Sequence, residues 1–528
     1  MQKHTIMVCD HIHESGLKML ESQPDIDYIN AADLPKDKLL EVVGQADVVI
    51  TRSSTEVNEA FLNAATKLKA LVRAGVGVDN VDIDGCSKRG IIVMNVPTAN
   101  TIAAVELTMA HMLACMRSFP YSHNHLKQER VWKREKWYGY ELKDKKLGII
   151  GFGNIGSRVG KRAKAFEMDV ITYDPYIDPS KATDLGIEYT TNFDDILACD
   201  IITIHTPKTQ ETIGMIGREE IEKMKEGVVL INCARGGLYD EEALYEGLKN
   251  GKIRFAGIDV FVKEPATDNP LLDLENITVT PHLGANTHES QYKIATQAAQ
   301  QALDAVRGIS YPNALNLPIR ENEIPDFVKP YLDLMQKIGF LAAQANKGAI
   351  KSLKVVGEGE IGEFVESLAT FATVGALKES LGETINYVNA DFVAKERGID
   401  VVKASSPAAG AYKSIIRLRL TTDKEVIEIS GTIFNDDVQR IVEINGFALD
   451  VEPKGRMILF KNTDVPGVIG DVGQILAKHH VNIADFRLGR DKSGLALAVI
   501  LVDNDVSEEV LRELDALEAS IYVKYVIL

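Results

Sequence analysis

KLGIIGFGNIG, Lys146 to Gly156, joins an apolar strand pattern to three glycines in GxGxxG spacing, and the chain runs on as helix-forming SRVGKRAKAF. Lys146–Ile150 predicts a short buried strand. Gly151 permits the tight turn after it and Gly153 lets the backbone approach a pyrophosphate. Gly156 lets the next helix pack closely on the strand, with the helix N-terminus facing the phosphates. Alone, such a trio also occurs in structural turns. Here a second strand, Asp169–Tyr173, ends in Asp174, 18 positions past Gly156. An acid roughly 20 residues on accepts hydrogen bonds from the ribose hydroxyls. It would repel a 2′-phosphate, so the reading is NAD rather than NADP.

Outward from this motif, strands alternate with helices. Ile201–His205, Val228–Asn232, Phe255–Asp259 and Ile277–Thr280 complete six short apolar strands, the number a doubly wound dinucleotide fold needs. Upstream, Thr5–Cys9, Ile26–Ile29, Val48–Thr51 and Ala70–Val72 predict a second, smaller parallel unit. Pro97 marks the start of one long helix, Thr98–Arg117, and His288–Arg307 predicts a helix leading back to the first unit. Asn313–Pro325, with Pro318 and Pro325, reads as a linker. Beyond it, helices at Phe327–Asn346 and Ile361–Gly375 and a hairpin, Lys413–Leu420 with Val426–Ile433, predict a separate α+β domain. Arg456–Leu528 reads β-α-β-β-α-β, a ferredoxin-like pattern. The fold class is therefore α/β, with two Rossmann-like doubly wound lobes followed by an α+β domain and a ferredoxin-like one. The expected divisions are 1–96 plus 287–316, 97–286, 317–452 and 453–528.

Composition narrows the function. The 528 residues allow three or four domains at about 150 residues each. The formal net charge of -17 argues against nucleic acid, whose phosphates need a dense basic surface. It also means that an anionic substrate must be met by locally gathered arginines. The five cysteines form no CxxC pair, which argues against a disulfide framework or a structural metal and suits a reducing compartment. The opening MQKHTIMVCD has no signal-peptide core, and no run approaches the roughly 20 apolar residues of a membrane span. Cytoplasmic location is the expectation, with no membrane partner and no bound metal.

Three polar residues follow three successive strands: Arg235 after LINCA, Glu264 after IDVF, His282 after VTP. In an open parallel sheet the strand C-terminal ends line the ligand crevice, so the three can converge. Oxidising a secondary alcohol requires a base, and histidine titrates near neutral pH. A carboxylate beside it fixes its tautomer, and an arginine grips a substrate carboxylate in bidentate fashion. Each residue alone is a common loop, surface or turn residue; the ordered set points to a catalytic one. Arg52 and Arg73 also follow strands and would face the same cleft. One carboxylate needs one arginine, so additional ones point to a second anionic group such as phosphate.

These residues, with GFGNIG (151–156), HTPKTQETIGMI (205–216), INCARGGLYDEEAL (231–244), GIDVFVKEP (257–265), TPHLGANTHESQ (280–291) and VRAGVGVDNVD (72–82), resemble the D-isomer-specific 2-hydroxyacid dehydrogenase family. NYVNADFVAKERGI (386–399) resembles the intervening domain of that family's long, phosphoglycerate-oxidising branch, and the C-terminal segment resembles an ACT domain. The resemblance implies catalytic Arg235, Glu264 and His282. It implies NAD contacts from Asn154, Ile155, Asp174, Thr206, Cys233, Ala234, Arg235 and Asp259, with His282, Gly284 and Ala285 on the cofactor side. It implies 3-phosphoglycerate as substrate, held by Arg52, Ser53, Arg73, Gly75 and, from a neighbouring subunit, Arg134. It implies L-serine as effector at Asp464 and Asn482, in the first step of serine synthesis. The Thr98–Arg117 helix and the Trp132–Trp137 stretch look like an interface, so a homodimer or homotetramer is expected. A protein that binds NAD only to regulate association would carry the same triad; the acidic chain and the amino-acid-binding tail count against it.

Overall fold

The computed structural model describes residues 3–317, 324–435 and 437–528. Pro318, in the expected linker, lies outside them. Four sheets organise the described residues. The first is parallel and five-stranded, in the spatial order Ile26–Asn30, His4–Val8, Val48–Thr51, Ala70–Arg73, Ile92–Asn95. Its central strands are buried on both faces, as the continuous apolar run VVIT requires. The helix His288–Val306 returns to pack Ile294, Ala298 and Ala302 against Ile50 and Val72 of this sheet.

The second sheet is also parallel. It has seven strands rather than the expected six, in the order Ile277–Val279, Ile253–Ile258, Val228–Asn232, Ile201–Ile204, Lys146–Ile150, Asp169–Tyr173, Glu188–Thr190. The extra edge strand is only three residues, EYT, too short to show a period. In the first sheet Ile92–Asn95 is likewise an addition to the sequence reading, although its apolar run between Gly90 and Pro97 is legible. The long helix starts at Thr101, three residues later than expected, and runs to Arg117. It lays Val105, Met109 and Met112 against Leu147, Ile149 and Ile231 of the second sheet. Fully burying each such side chain contributes roughly 1.5–3 kcal/mol.

The third sheet has six strands: Asp400–Ser406, Ile350–Gly359, Ser414–Thr422, Val426–Phe434, Val438–Ile444 and Phe447–Val451, with the first pair parallel and the rest antiparallel. The helices Val328–Ala345 and Val365–Leu381 cover it. The fourth sheet is antiparallel, in the order Ile483–Arg490, Leu495–Val502, Arg456–Thr463, Ser520–Ile527, a ferredoxin-like arrangement. Its own helices, Val468–Lys478 and Glu508–Asp515, cover one face. The other face, with Met457, Leu459, Leu497 and Val499, joins the core of the third-sheet domain. The two C-terminal sheets thus share one hydrophobic core.

Candidate active site

The glycine turn has the geometry that its residues require. Gly151 has φ of 85°, and a Cβ on Gly156 would lie 2.1 Å from the Gly151 carbonyl oxygen. Gly153 faces open space, room that a pyrophosphate can occupy. The helix Gly156–Ala165 begins without a side-chain cap, which leaves its N-terminal dipole to a ligand. Asp174 ends the neighbouring strand and accepts the Phe152 amide at 2.8 Å and the Tyr176 amide at 3.0 Å, tying the turn to the position where a ribose would sit.

Beside this turn lies a cleft of about 390 Å³ between the first two sheets. Asn154, Ile155, Thr206, Cys233, Ala234, Arg235, His282, Gly284 and Ala285 line it together. Asp259 lies just beneath, fully buried, and accepts the Leu283 amide at 2.7 Å and the Gly284 amide at 2.9 Å. Two buried polar atoms near the cleft, His205 Nδ1 and Thr206 Oγ1, have no protein partner. Burial pushes the His205 imidazole down to about 3, so it is neutral. Orphaned polar atoms in a cleft lined by the glycine turn are what a dinucleotide would satisfy.

The catalytic candidates converge. His282 Nδ1 lies 2.8 Å from Glu264 Oε2, and Glu264 Oε1 accepts the Phe261 amide at 3.0 Å. Burial works to raise the Glu264 carboxyl. The His282 hydrogen bond, the Phe261 amide and the charges of His282 and Arg235 outweigh it and hold the group below its usual range. Glu264 is therefore ionised and accepts Nδ1–H, which leaves His282 Nε2 with a free lone pair. Arg235 donates to the Ala234 carbonyl at 2.7 Å and pairs with Asp79 at 3.4 Å. Its loop is held by Asn232, whose amide donates to the Arg235 carbonyl at 2.9 Å and accepts the Ala234 amide at 3.0 Å.

Arg73 approaches from the first lobe. Burial, then the charges of Arg235 and Arg52, push its guanidinium down to about 10, and its Nε is buried with no partner. Arg235 and Arg52 therefore crowd Arg73 with positive charge that Asp79 and Asp10 offset only in part, an arrangement that an anion would relieve. A Cβ on Gly75 would strike the Arg73 guanidinium, so the glycine keeps that side chain's path open. Arg52 is anchored by its backbone amide to Asp10 and by Nη1 to the His11 carbonyl, and Ser53 is exposed beside it. Arg134 is not brought to this cleft. It lies exposed on the turn Arg134–Trp137 and lines a separate groove with Phe119, Leu126, Trp132 and Trp137. The sequence reading did not single out Asn232, Asp79, Lys208 or His205. All four lie inside quoted motifs, so only their contacts were hidden.

In the fourth sheet a cavity of about 330 Å³ opens between the loop Asp464–Gly467 and Arg490. Asp464 lines it and is ion-paired with Arg490. Asn482 does not line it; its amide donates to Asp503 at 2.6 Å.

A doubly wound dinucleotide sheet, a second α/β lobe across the cleft, and a histidine–carboxylate pair beside an arginine define a two-lobed nicotinamide-dependent dehydrogenase. Residues 109–284 match the NAD binding domain of the D-isomer specific 2-hydroxyacid dehydrogenases. Residues 327–445 match the D-3-phosphoglycerate dehydrogenase intervening domain, and 456–519 match the ACT domain. The chain is 40% identical to the D-3-phosphoglycerate dehydrogenase of Methanocaldococcus jannaschii over 96% of this chain and 97% of that one. It is 39% identical to the Bacillus subtilis enzyme of the same name over 99% of each. A D-lactate dehydrogenase structure from Aquifex aeolicus, complexed with NAD and lactic acid, superposes with TM-score 0.53 at 28% identity, covering 60% of this chain and 100% of that one. The chain belongs to the D-3-phosphoglycerate dehydrogenase family, within the D-isomer specific 2-hydroxyacid dehydrogenases.

Proposed function

We propose that this enzyme oxidises 3-phosphoglycerate to 3-phosphohydroxypyruvate with NAD, the entry to serine synthesis, using His282 as base, Glu264 as its partner and Arg235 as the substrate clamp. The observation that carries the reading is the His282–Glu264 pair at 2.8 Å beside Arg235, with Arg235 and Arg52 close enough to Arg73 to lower its basicity.

The bound nicotinamide supplies the hydride acceptor. His282 Nε2 takes the hydroxyl proton of the substrate, and Glu264 stabilises the imidazolium that forms without itself being protonated. Arg235 holds the carboxylate and polarises the oxygen becoming a carbonyl. Arg73 and Arg52, with Ser53 and the backbone at Gly75, hold the phosphate from the other lobe. Asn154, Ile155, Thr206, Cys233, Ala234, Asp259, Gly284 and Ala285 seat the cofactor. Asp174 takes the ribose hydroxyls, which selects NAD over NADP.

Regulation by L-serine through Asp464 and Asn482 belongs to the same proposal. So does assembly into a homodimer or homotetramer through the groove lined by Phe119, Leu126 and Trp132, with Arg134 reaching a neighbouring subunit's cleft. We also propose divisions at about 96, 286, 316 and 452, and a cytoplasmic location. No single helix among the described residues is long and apolar enough to cross a membrane. The test is a substrate panel of 3-phosphoglycerate, glycerate and lactate with NAD and NADP, with and without serine. NADH formed from 3-phosphoglycerate at alkaline pH is expected; equal rates with unphosphorylated glycerate would remove the phosphate assignment.

A further inference from the structure

Behind the catalytic loop lies a buried polar chain that neither the motif nor the proposed mechanism uses. His111, on the inner face of the Thr101–Arg117 helix, is 4% exposed. Its Nδ1 lies 3.0 Å from Thr278 Oγ1 and its Nε2 lies 2.8 Å from Thr280 Oγ1. Thr280 Oγ1 donates to Asp259 Oδ1 at 2.6 Å. Asp259 in turn holds the Leu283 and Gly284 amides, and its own carbonyl accepts the His282 amide at 2.9 Å. The helix therefore reaches the His282 loop through an unbroken run of hydrogen bonds. The sheet makes room for it: a Cβ on Gly257 would lie 2.8 Å from His111 Cβ.

The directions of these bonds can be assigned. Burial raises the Asp259 carboxyl, but both its oxygens accept, Oδ1 from the Thr280 hydroxyl and the Leu283 amide and Oδ2 from the Gly284 amide, so the Thr280 hydroxyl spends its hydrogen there. Toward His111 it can then only accept, so His111 Nε2 carries a hydrogen. Nδ1 is left as acceptor and takes the hydroxyl hydrogen of Thr278, which itself contacts Cys115 Sγ at 3.5 Å. Burial pushes the imidazole down to about 4, which suits this single neutral tautomer. At the far end, His282 sits at φ of 53°, a backbone conformation that persists for a non-glycine residue only where its surroundings over-determine it.

We propose that His111 is a positioning residue: through Thr280 and Asp259 it fixes the 280–284 loop and so aims His282 at the substrate and Gly284 at the cofactor. The proposal rests on the assignment of His282 as the base. A core histidine that merely satisfies its own nitrogens predicts a different result, and a mutant cycle separates the two.

The experiment compares H111M, H111Q, T280V, T280S and the H111M/T280V pair with the full-length wild type. NADH formation from 3-phosphoglycerate is read in one arm and NADH binding by fluorescence in the other. H111M should lower kcat about tenfold or more with KM changed less than about threefold, the signature of a misplaced catalytic group. Glutamine offers one donor and one acceptor, so H111Q should recover most of the loss. The pair should be no worse than T280V alone, because both substitutions cut the same chain. NADH affinity should fall in H111M and T280V by similar factors. H111M within twofold of wild type in both arms, or losses that multiply in the pair, would overturn the proposal. If H111M does not fold, T280V against T280S decides: the serine keeps the hydroxyl and should match wild type, and equal behaviour of the two would sink the idea. If wild type forms no NADH from 3-phosphoglycerate, the substrate assignment fails on its own, while the binding arm still decides the role of His111.

Discussion

The cleft at His282 and the cavity at Asp464 are both built from loops that follow strands, but only the first brings its candidate residues Arg235, Glu264 and His282 together within one chain. Arg235, Glu264 and His282 come from consecutive strand ends of one parallel sheet, and its topology delivers all three to the same edge. Asp464 follows the strand Arg456–Thr463 and Asn482 precedes Ile483–Arg490; both strands run antiparallel to Leu495–Val502 and hence in the same direction, so the two residues lie at opposite ends of the sheet. Asp464 opens the cavity while Asn482 is turned away to Asp503. Parallel topology gathers sequence-distant residues at one place. A residue after one strand and a residue before the next lie at opposite ends of a crossover, and a site that needs both must be closed by something else.

The harshest attack on this contrast removes the base. Replacing His282 with asparagine should lower kcat by about 10²–10⁴ while NAD binding changes by less than about threefold, since the glycine turn is untouched. Stopped-flow NADH formation and cofactor titration check both halves. Lost cofactor affinity with retained turnover would dissolve the triad. Arg235→Lys comes next. Lysine keeps the charge but loses the planar fork, and about 10²-fold in kcat/KM is expected for the lost donor geometry. A steady-state loss confined to KM would mean that the guanidinium only binds ground-state substrate.

Glu264→Gln should cost less, about tenfold, because the amide oxygen can still accept Nδ1–H. Its pH profile is more telling. The Glu264 carboxyl is held low, so it is anionic throughout the range in which an imidazole titrates. Glutamine has no carboxyl to protonate, so whatever part of the acid limb of kcat/KM comes from proton uptake by Glu264 should vanish in the variant. An acid limb identical in the two enzymes would show that protonation of the Glu264 carboxyl does not limit turnover.

How far each site could be read in advance follows from the same topology. The glycine turn, Asp174, Arg235, Glu264 and His282 were all legible, because strand, motif and polar terminus recur in order along the chain. Glu188–Thr190 was not, since three residues on a sheet edge carry no period. His111 was invisible for a different reason. On a helix whose pattern reads as amphipathic, nothing local shows that its nitrogens meet Thr278 and Thr280, 167 and 169 residues away. Arg134 was legible only as a charged residue, and within one chain it stays with Trp132 and Trp137 on a separate groove.

The smallest expected effect probes the incomplete site. Asp464→Ala should weaken L-serine binding about tenfold in calorimetry on the full-length protein, through loss of a charge-assisted hydrogen bond to the ammonium group. The informative partner is Asn482→Ala. If one chain's cavity suffices, this substitution is silent, because the Asn482 amide is committed to Asp503. If two copies close the site, with the asparagine of one facing the aspartate of the other, Asn482→Ala should match Asp464→Ala. A mixed oligomer carrying one substitution per chain should then recover a fraction of its serine sites, namely those that pair an intact Asp464 with an intact Asn482. Recovery on mixing is a result that no single-chain site can give, since every chain in the mixture is defective.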